Sequence, residues 1–338
     1  MNLPSFQYFE PRSVKEASRL LRQGKGRGKI LAGGTDLLNL MRMRSETPSF
    51  LVNLGALKEL SFIRYDKAGG LRIGALTSLA AITESAEVRV RCPMLAQAAE
   101  KIASPQMRNA ATLGGNILLD TKCPYYNQTP LWFESGIRCL KAGGDECLAV
   151  KGEKSCYAFW SSDTVPPLIA LGARVKIVTA EKGRWLNLDK LYTGLGDKPV
   201  KIAADEILTE VLIPASSCRM KGAYLRFSQR ETIDFPVVSV AVAAAVSRQG
   251  KIARLRIVAG GVDSAPKRLL RAEGLLRGKI MDGALAPAAA AMAAREVAPI
   301  KDVFYPSRFK RDVLRALVED GILAALDAKE KRSPDGEA

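Results

Sequence analysis

Two glycine pairs, each inside a short segment of apolar and polar residues, place the strongest limits on how this chain can fold. They lie in Lys29-Ile-Leu-Ala-Gly-Gly-Thr-Asp36 and in Thr112-Leu-Gly-Gly-Asn116. Glycine permits positive φ and close backbone approach, and a helix N-terminus offers free N–H groups to an anion. We predict that each pair follows a strand, precedes a helix and helps to hold a pyrophosphate. A single Gly-Gly turn more often has a structural role than a ligand-binding one. Neither pair fits the G-x-G-x-x-G pattern, so a Rossmann fold is disfavoured.

The chain contains no histidine among its 338 residues. This excludes Ser-His-Asp and Cys-His nucleophiles, histidine-ligated zinc and the commonest general base. We therefore expect no catalytic residue in this chain, and any demanding chemistry has to come from a cofactor.

Lysine and arginine outnumber aspartate and glutamate by 51 to 35, a net charge of +16. The basic residues are scattered, without a dense run or interleaved aromatics, so a nucleic-acid interface is disfavoured. A basic face that docks acidic redox proteins or binds cofactor phosphates fits better. No apolar stretch of about 18 residues and no secretory signal are found, so we expect a cytoplasmic protein that does not span a membrane.

Several motifs resemble the flavin-binding subunits of the xanthine dehydrogenase and carbon monoxide dehydrogenase family. The segments AGGTDLL and ATLGGNI, which contain the two glycine pairs, carry the first part of the likeness. It continues almost to the C-terminus, through Asp205–Leu208, Val211–Pro214, Tyr224–Arg230, Asp234–Ala241 and Ala259–Val262. The resemblance implies an α+β protein with a two-lobed FAD-binding fold of the PCMH/VAO type. A C-terminal α/β domain of the CO dehydrogenase flavoprotein type should follow.

The implied domains are an FAD-binding lobe at 1–56, a second lobe at 57–216, a C-terminal domain at 217–328 and a flexible tail at 329–338. Residues 121–160 form a cysteine-rich insert in the second lobe. Their apolar residues repeat with neither the period of a helix nor that of a strand. This is typical of a segment that is ordered by something other than a hydrophobic core.

The resemblance also implies individual roles in the flavin site. Ile102 should lie beside the flavin ring, and Leu208 should pack near the adenine side. Asp163 should hold a ribose or adenosine hydroxyl, although it could instead cap a helix. Arg226 stands where the family commonly carries lysine, facing the polar edge of the ring. The residues expected around the pyrophosphate are Lys29, Ile30, Leu31, Ala32, Gly33, Gly34, Thr35, Asp36, Thr112, Leu113, Gly114, Gly115 and Asn116.

Four of the six cysteines lie in the insert, at positions 123, 139, 147 and 156. Disulfides are disfavoured in a cytoplasmic chain, and zinc sites usually contain C-x2–4-C pairs, which are absent. Cys123, Cys139, Cys147 and Cys156 can supply the four thiolates of a 4Fe–4S cluster, with zinc or free thiols as alternatives. Cys92 and Cys218 lie outside the insert, and we interpret them as small buried or surface residues.

The insert resembles that of the β subunits of 4-hydroxybenzoyl-CoA reductases. This implies a flavin and 4Fe–4S subunit that takes electrons from ferredoxin. The electrons would pass to a small subunit with two 2Fe–2S clusters and then to a large molybdenum-cofactor subunit, in a dimer of heterotrimers. There 4-hydroxybenzoyl-CoA would be reduced to benzoyl-CoA.

Three other readings remain open at this stage. The chain could be the FAD subunit of another hydroxylase of the family, delivering electrons to NAD or a quinone. It could be a basic scaffold or nucleic-acid-binding protein. A free-standing flavin oxidase of the related fold is a further alternative, although such enzymes often attach the flavin through histidine or cysteine.

Overall fold

The computed structural model describes residues 2–302 and 304–327, so the predicted tail at 329–338 lies outside the described residues. The N-terminal lobe comprises β1 (Gln7–Phe9), α1 (Val14–Gln23), β2 (Gly28–Leu31), α2 (Leu37–Arg42) and β3 (Phe50–Asn53). Its three strands form a parallel sheet in the order β1-β3-β2. Helix α1 begins at Ser13, whose Oγ accepts a hydrogen bond from the N–H of Glu16. Its Ala17 and Leu21 pack in one core with Val52.

The second lobe is built on a five-stranded antiparallel sheet in the order β4-β5-β8-β6-β7. Its strands are β4 (Ile63–Asp66), β5 (Gly70–Gly74), β6 (Arg174–Val178), β7 (Gly183–Asn187) and β8 (Ile207–Pro214). Its helices are α3 (Leu79–Glu84), α4 (Ala86–Arg91), α5 (Pro93–Glu100), α6 (Pro105–Ala110), α7 (Leu113–Ile117), α8 (Pro130–Glu134) and α9 (Val165–Ala170). The central strand β8 is buried over most of its length, and its buried Glu210 is paired with Arg72 of β5.

The C-terminal domain is a four-stranded antiparallel sheet covered by helices, with strand order β12-β11-β10-β9. It consists of β9 (Lys221–Phe227), β10 (Val238–Val246), β11 (Ile252–Gly260), β12 (Lys267–Arg268), α10 (Leu270–Leu276), α11 (Leu285–Arg295) and α12 (Ser307–Asp327).

Strand β10 explains how this domain is attached to the second lobe. Successive side chains of a strand point to opposite faces. Val240 and Val242 belong to the core beneath the domain's own helices. Ala241 and Ala243 belong to the core of the second lobe. Because both faces are covered, the strand is apolar at almost every position, and the two units share a continuous interior.

Three short 3-10 turns complete the secondary structure of the described residues, at Lys58–Leu60, Leu140–Ala142 and Leu188–Lys190. Within residues 2–302 and 304–327, no helix combines the length and the apolar character needed to cross a membrane.

Candidate functional site

The first glycine pair lies, as predicted, between strand β2 and helix α2. Gly34 has φ of +71°, a left-handed conformation that glycine adopts without strain. In the part of the chain that the structure describes, the N–H groups of residues 33–36 donate to no protein acceptor. Asp36 occupies the N-cap position of α2 without accepting a capping hydrogen bond. The turn therefore contains several consecutive amide donors without a protein partner, and such donors can bind phosphate oxygens.

The second glycine pair is not a turn after a strand, so that part of the prediction is wrong, while the pyrophosphate role of residues 112–116 stays a prediction. Gly114 and Gly115 lie inside the short helix α7, which follows helix α6. The N–H of Gly114 donates to the Ala75 carbonyl at 2.8 Å, and that of Gly115 donates to Thr112 Oγ1 at 3.2 Å. A Cβ on Gly114 would lie 2.9 Å from both Ala75 Cβ and Ala75 O, so glycine is required by packing. This pair positions α7 and offers no free amides comparable to those of the first turn.

The two glycine segments are nevertheless in direct contact. A Cβ added to Gly33 would lie 1.9 Å from the carbonyl oxygen of Ala110 and 2.6 Å from its carbonyl carbon. Real Cβ atoms do not approach backbone this closely, so only glycine allows the first turn to pack against the residues that lead into α7. The structure therefore brings together two segments that are far apart in the sequence.

Asn116, at the end of the second glycine segment, holds the next predicted site residue in position. Its Oδ1 accepts hydrogen bonds from Ser162 Oγ at 2.8 Å and from Thr164 Oγ1 at 2.6 Å. Asp163 lies between these two donors and is buried. Helix α9 begins after Thr164, and no side-chain capping bond is made there. The alternative reading of Asp163 as a helix cap is therefore not supported by its contacts.

Asp163 forms a buried cluster with two side chains of strand β9. Tyr224 donates its hydroxyl to Asp163 Oδ1 at 2.5 Å, and Arg226 Nη1 lies 3.2 Å from the same oxygen. The side chains of Arg226 and Asp163 are only 3% and 4% exposed. Burial raises the pKa of the Asp163 carboxyl, and the Arg226 charge opposes that rise. Burial also raises the pKa of Tyr224, which keeps its hydroxyl protonated as a donor.

Tyr224 was not among the residues predicted for the site, although the sequence contained a signal for it. Residues two apart on a strand share a face, so Tyr224 and Arg226 had to point the same way. The position of Arg226 at the flavin edge stays a prediction. In the structure its closest polar partner is Asp163.

The other residues predicted to contact the flavin are placed as follows. Ile102 is partly buried against the core, and its carbonyl accepts a hydrogen bond from Arg108 at 2.8 Å. The next residue, Ala103, has φ of +46°, and its carbonyl accepts from the N–H of Ile233 at 3.4 Å. Leu208 is buried within β8, opposite Ile177 of β6.

The two ends of the cysteine insert are hydrogen-bonded to each other where the insert joins the second lobe. Lys122 and Phe159 exchange two backbone hydrogen bonds of 3.0 Å across its base. Lys122 also joins the insert to the first glycine turn, because its Nζ lies 2.5 Å from Asp36 Oδ1. Its ammonium group lies 5.5 Å from the centre of the Phe235 ring. The base of the insert is thus part of the same site as the glycine segments.

The four insert cysteines lie in a hydrogen-bonded segment and are shielded from solvent. Cys139, Cys147 and Cys156 are buried and Cys123 is half-buried. Of residues 121–160, only the last, Trp160, contributes a buried side chain to the hydrophobic clusters of the described chain, and it belongs to the core of the second lobe. This agrees with the prediction that the insert has no apolar core of its own.

Burial raises the pKa of two of the insert thiols, Cys123 and Cys156. Burial raises the pKa of Cys123, and the nearby thiols of Cys139 and Cys147 raise it further. Burial raises the pKa of Cys156 to about 11, with Lys141 acting in the opposite direction. Among residues 2–302 and 304–327, no three His, Cys, Asp or Glu side chains are grouped as ligands of one metal ion. The predicted metal role of the four cysteines stays a prediction.

Two cavities lie outside the glycine site. One of about 620 Å³ is in the N-terminal lobe, between Ser5, Gly24 and Phe50, and contains none of the predicted flavin residues. The other, of about 250 Å³, lies between Cys123 of the insert and Lys310 of α12. We assign the site from its backbone geometry, since phosphate recognition needs exposed amides and not an enclosed apolar volume.

Comparison with known protein families assigns this fold to the FAD-binding flavoproteins. Residues 4–216 match the family described as the FAD binding domain in molybdopterin dehydrogenase, and residues 223–325 match the CO dehydrogenase flavoprotein C-terminal domain. The chain therefore belongs to the family of FAD-binding medium subunits of the xanthine dehydrogenase and CO dehydrogenase type. This confirms the predicted fold class.

Relatives of known function and solved structures agree with this assignment. The medium subunit of nicotine 6-hydroxylase from Paenarthrobacter nicotinovorans is 30% identical, over 96% of this chain and 99% of the relative. The FAD-binding subunit of an aldehyde oxidoreductase from Escherichia coli is 31% identical, over 81% of this chain and 86% of the relative. Carbon monoxide dehydrogenase from Hydrogenophaga pseudoflava superimposes with a TM-score of 0.80 at 27% identity, covering 96% of this chain and 98% of that chain.

Proposed function

We propose that this chain binds FAD at the first glycine turn and relays electrons within a molybdenum hydroxylase, between an iron–sulfur subunit and an acceptor such as NAD or a quinone. The observation that carries the proposal is the row of unpaired amides at residues 33–36, packed against the entry to α7. The relatives support it, because their names describe medium and FAD-binding subunits of hydroxylases and oxidoreductases.

Each part of the site would have a separate task. The amides of residues 33–36 would bind the pyrophosphate, and the Lys122 ammonium would offset the negative charge of the Asp36 carboxylate at the same turn. Asp163, fixed by Asn116, Tyr224 and Arg226, would accept a hydrogen bond from a ribose or adenosine hydroxyl. Bound FAD supplies an acceptor of two electrons that can release them one at a time. The chain itself supplies position, charge and exclusion of water.

The proposed partners are a large molybdenum-cofactor subunit and a small subunit with two 2Fe–2S clusters, assembled as a dimer of heterotrimers. Carbon monoxide dehydrogenase, whose medium chain has the same fold, supports a multi-subunit assembly. The chain has no histidine and so lacks the commonest general base. Substrate chemistry would therefore take place on the molybdenum subunit.

The proposal predicts selective binding of the dinucleotide form of flavin. FMN lacks the pyrophosphate that residues 33–36 would bind, so we expect flavin-free protein to bind FAD at least about tenfold more tightly than FMN. Quenching of flavin fluorescence on titration measures both affinities, with riboflavin as the control that carries no phosphate. Equal affinity for FAD and FMN would show that the glycine turn does not bind the pyrophosphate.

A second proposal concerns the insert, which would hold a 4Fe–4S cluster through Cys123, Cys139, Cys147 and Cys156. The supporting observation is that three of these thiols are buried and the fourth is half-buried, in a segment without an apolar core of its own. Metal binding would then replace hydrophobic burial as the source of order. A cluster would provide a route to an electron donor such as ferredoxin, for which the net charge of +16 is favourable. Reduction of an aryl-CoA thioester, as in 4-hydroxybenzoyl-CoA reductase, rests on the resemblance of the insert alone.

The cluster proposal predicts about four irons and about four acid-labile sulfides per chain after anaerobic purification. Cys139→Ser should lose most of this iron, because each thiolate binds a different iron of the cluster. Cys92→Ser, which lies outside the insert, serves as the matched control and should keep it. One zinc per chain, or iron at background, would contradict the cluster and favour the zinc or free-thiol reading.

A further inference from the structure

Cys92 and Cys218 are 126 residues apart in the sequence, and the structure places their sulfur atoms 3.9 Å apart. Cys92 is 1% exposed and Cys218 is 8% exposed, and both belong to the core of the second lobe. Neither is part of the flavin site or of the insert. Their interpretation as two unrelated small residues does not account for this contact.

Backbone hydrogen bonds fix both cysteines in place. The N–H of Cys92 donates to the Val88 carbonyl, and the Cys92 carbonyl accepts from the N–H of Leu95, each at 2.8 Å. Cys92 thus ends α4 and precedes α5. Cys218 lies in a turn between β8 and β9, where its N–H donates to the Pro214 carbonyl at 3.2 Å. The sulfur contact therefore results from ordered backbone on both sides.

The position of Cys218 gives this contact a structural consequence. The residue lies between the two family matches, which end at residue 216 and resume at residue 223. A covalent link from Cys218 to Cys92 would join this connecting segment to the helices of the second lobe.

We propose that Cys92 and Cys218 form a reversible disulfide when the protein meets a peroxide. A disulfide has an S–S distance of about 2.05 Å, so the two sulfurs must approach by small side-chain rotations. The inference is independent of the proposed function, since it needs neither flavin nor a cluster.

The reaction takes two balanced steps. The Cys218 thiolate attacks hydrogen peroxide, an S–O bond forms, the O–O bond breaks, and the departing hydroxide takes a proton to become water. The Cys92 sulfur then attacks the Cys218 sulfur, an S–S bond forms and the S–O bond breaks. The second hydroxide takes the Cys92 proton. Two thiols lose two electrons in total, and one peroxide is reduced to two waters.

The environment favours Cys218 as the sulfur that reacts first. It is the more exposed of the two, so the oxidant reaches it before Cys92. A hydrogen bond from the Cys92 thiol lowers the pKa of Cys218, and the positive charge of Arg91 acts in the same direction. A lowered thiol pKa increases the fraction of thiolate, which is the reactive form.

Peptide mapping of the purified full chain tests the proposal. The protein is treated with hydrogen peroxide, denatured in N-ethylmaleimide and digested with trypsin. Cleavage after lysine and arginine places Cys92 in peptide 92–101 and Cys218 in peptide 202–219, and neither contains an insert cysteine. We expect these two peptides to appear as one linked species that dithiothreitol separates. The amount of each peptide that is recovered separately, with its cysteine alkylated, should fall at least about tenfold.

Two results would overturn the proposal. One is recovery of both peptides fully alkylated after the peroxide has been consumed. The other is conversion of Cys218 to its sulfinic acid in the native protein without any linked peptide. In Cys92→Ala, which removes the resolving sulfur, Cys218 should instead be trapped as a sulfenic acid by dimedone.

The melting temperature gives a second, independent readout. The link closes a long loop, so oxidised protein should melt at least a few degrees higher than reduced protein. Dithiothreitol should reverse this shift, and Cys218→Ser should not show it. An equal shift in Cys218→Ser would assign the effect to other cysteines and contradict the proposed pair.

Discussion

Replacing Gly33 with alanine should remove most of the flavin from this protein. The added Cβ would lie 1.9 Å from the Ala110 carbonyl oxygen, a backbone atom that cannot rotate away. The first glycine turn would have to separate from the segment that leads into α7, and the amides of residues 33–36 would lose their alignment. We expect FAD affinity to fall at least about tenfold and the free energy of unfolding to fall by about 1–3 kcal/mol, the usual cost of overpacking. The flavin absorbance of the purified variant measures the loss of FAD, and urea unfolding measures the loss of stability.

Gly274→Ala is the matched control for this substitution. A Cβ at Gly274, in helix α10, would meet no atom within 4 Å. Alanine is also the better helix former, so the variant should be as stable as the native protein or slightly more stable, with full flavin content. If Gly33→Ala kept native FAD affinity, the glycine contact would have no role in the flavin site.

Removing one charge of the Asp163–Arg226 pair should destabilise the protein far more than removing a charge from an exposed ion pair. Asp163→Asn keeps the size of the side chain but leaves the Arg226 guanidinium buried without its carboxylate. Breaking a buried ion pair in this way costs about 3–5 kcal/mol, because the remaining charge is not solvated. Urea unfolding of the flavin-free protein measures this cost without a contribution from bound ligand.

The double variant Asp163→Asn/Arg226→Met separates charge burial from packing. It removes both charges, so it should be more stable than Asp163→Asn alone by at least about 2 kcal/mol. The exposed pair Arg308–Asp312 provides the control, with side chains 89% and 70% exposed. Asp312→Asn should change stability by less than about 0.5 kcal/mol. A double variant as unstable as the single one would mean that Asp163 acts through its packing and not through its charge.

The local features of the site could be predicted because they depend on nearby sequence. The first glycine turn follows a short apolar strand and precedes a helix, and its pattern indicates this without tertiary information. The insert could be recognised in the same way, since residues 121–160 lack any period and concentrate cysteines. Family resemblance then indicated the flavin fold, which the family matches confirm.

The second glycine segment shows where local reasoning failed. Its composition is similar to that of the first, yet Gly114 and Gly115 lie in helix α7 with their amides already engaged. The requirement for glycine at position 114 comes from Ala75, a residue outside that helix. A glycine pair in the sequence predicts that another chain segment comes close to the backbone at that position. It does not specify which segment this is.

The sequence by itself determined the strand–turn–helix order around the first glycine pair and the cysteine-rich insert, because these depend on periodicity and on the conformations that each residue allows. Only the tertiary structure decided that Gly33 meets Ala110, that Asp163 is buried with Tyr224 and Arg226, and that Cys92 meets Cys218. These contacts join segments far apart in the chain. They arise when sheets and helices pack into a shared core, and the energy of that packing depends on the whole fold.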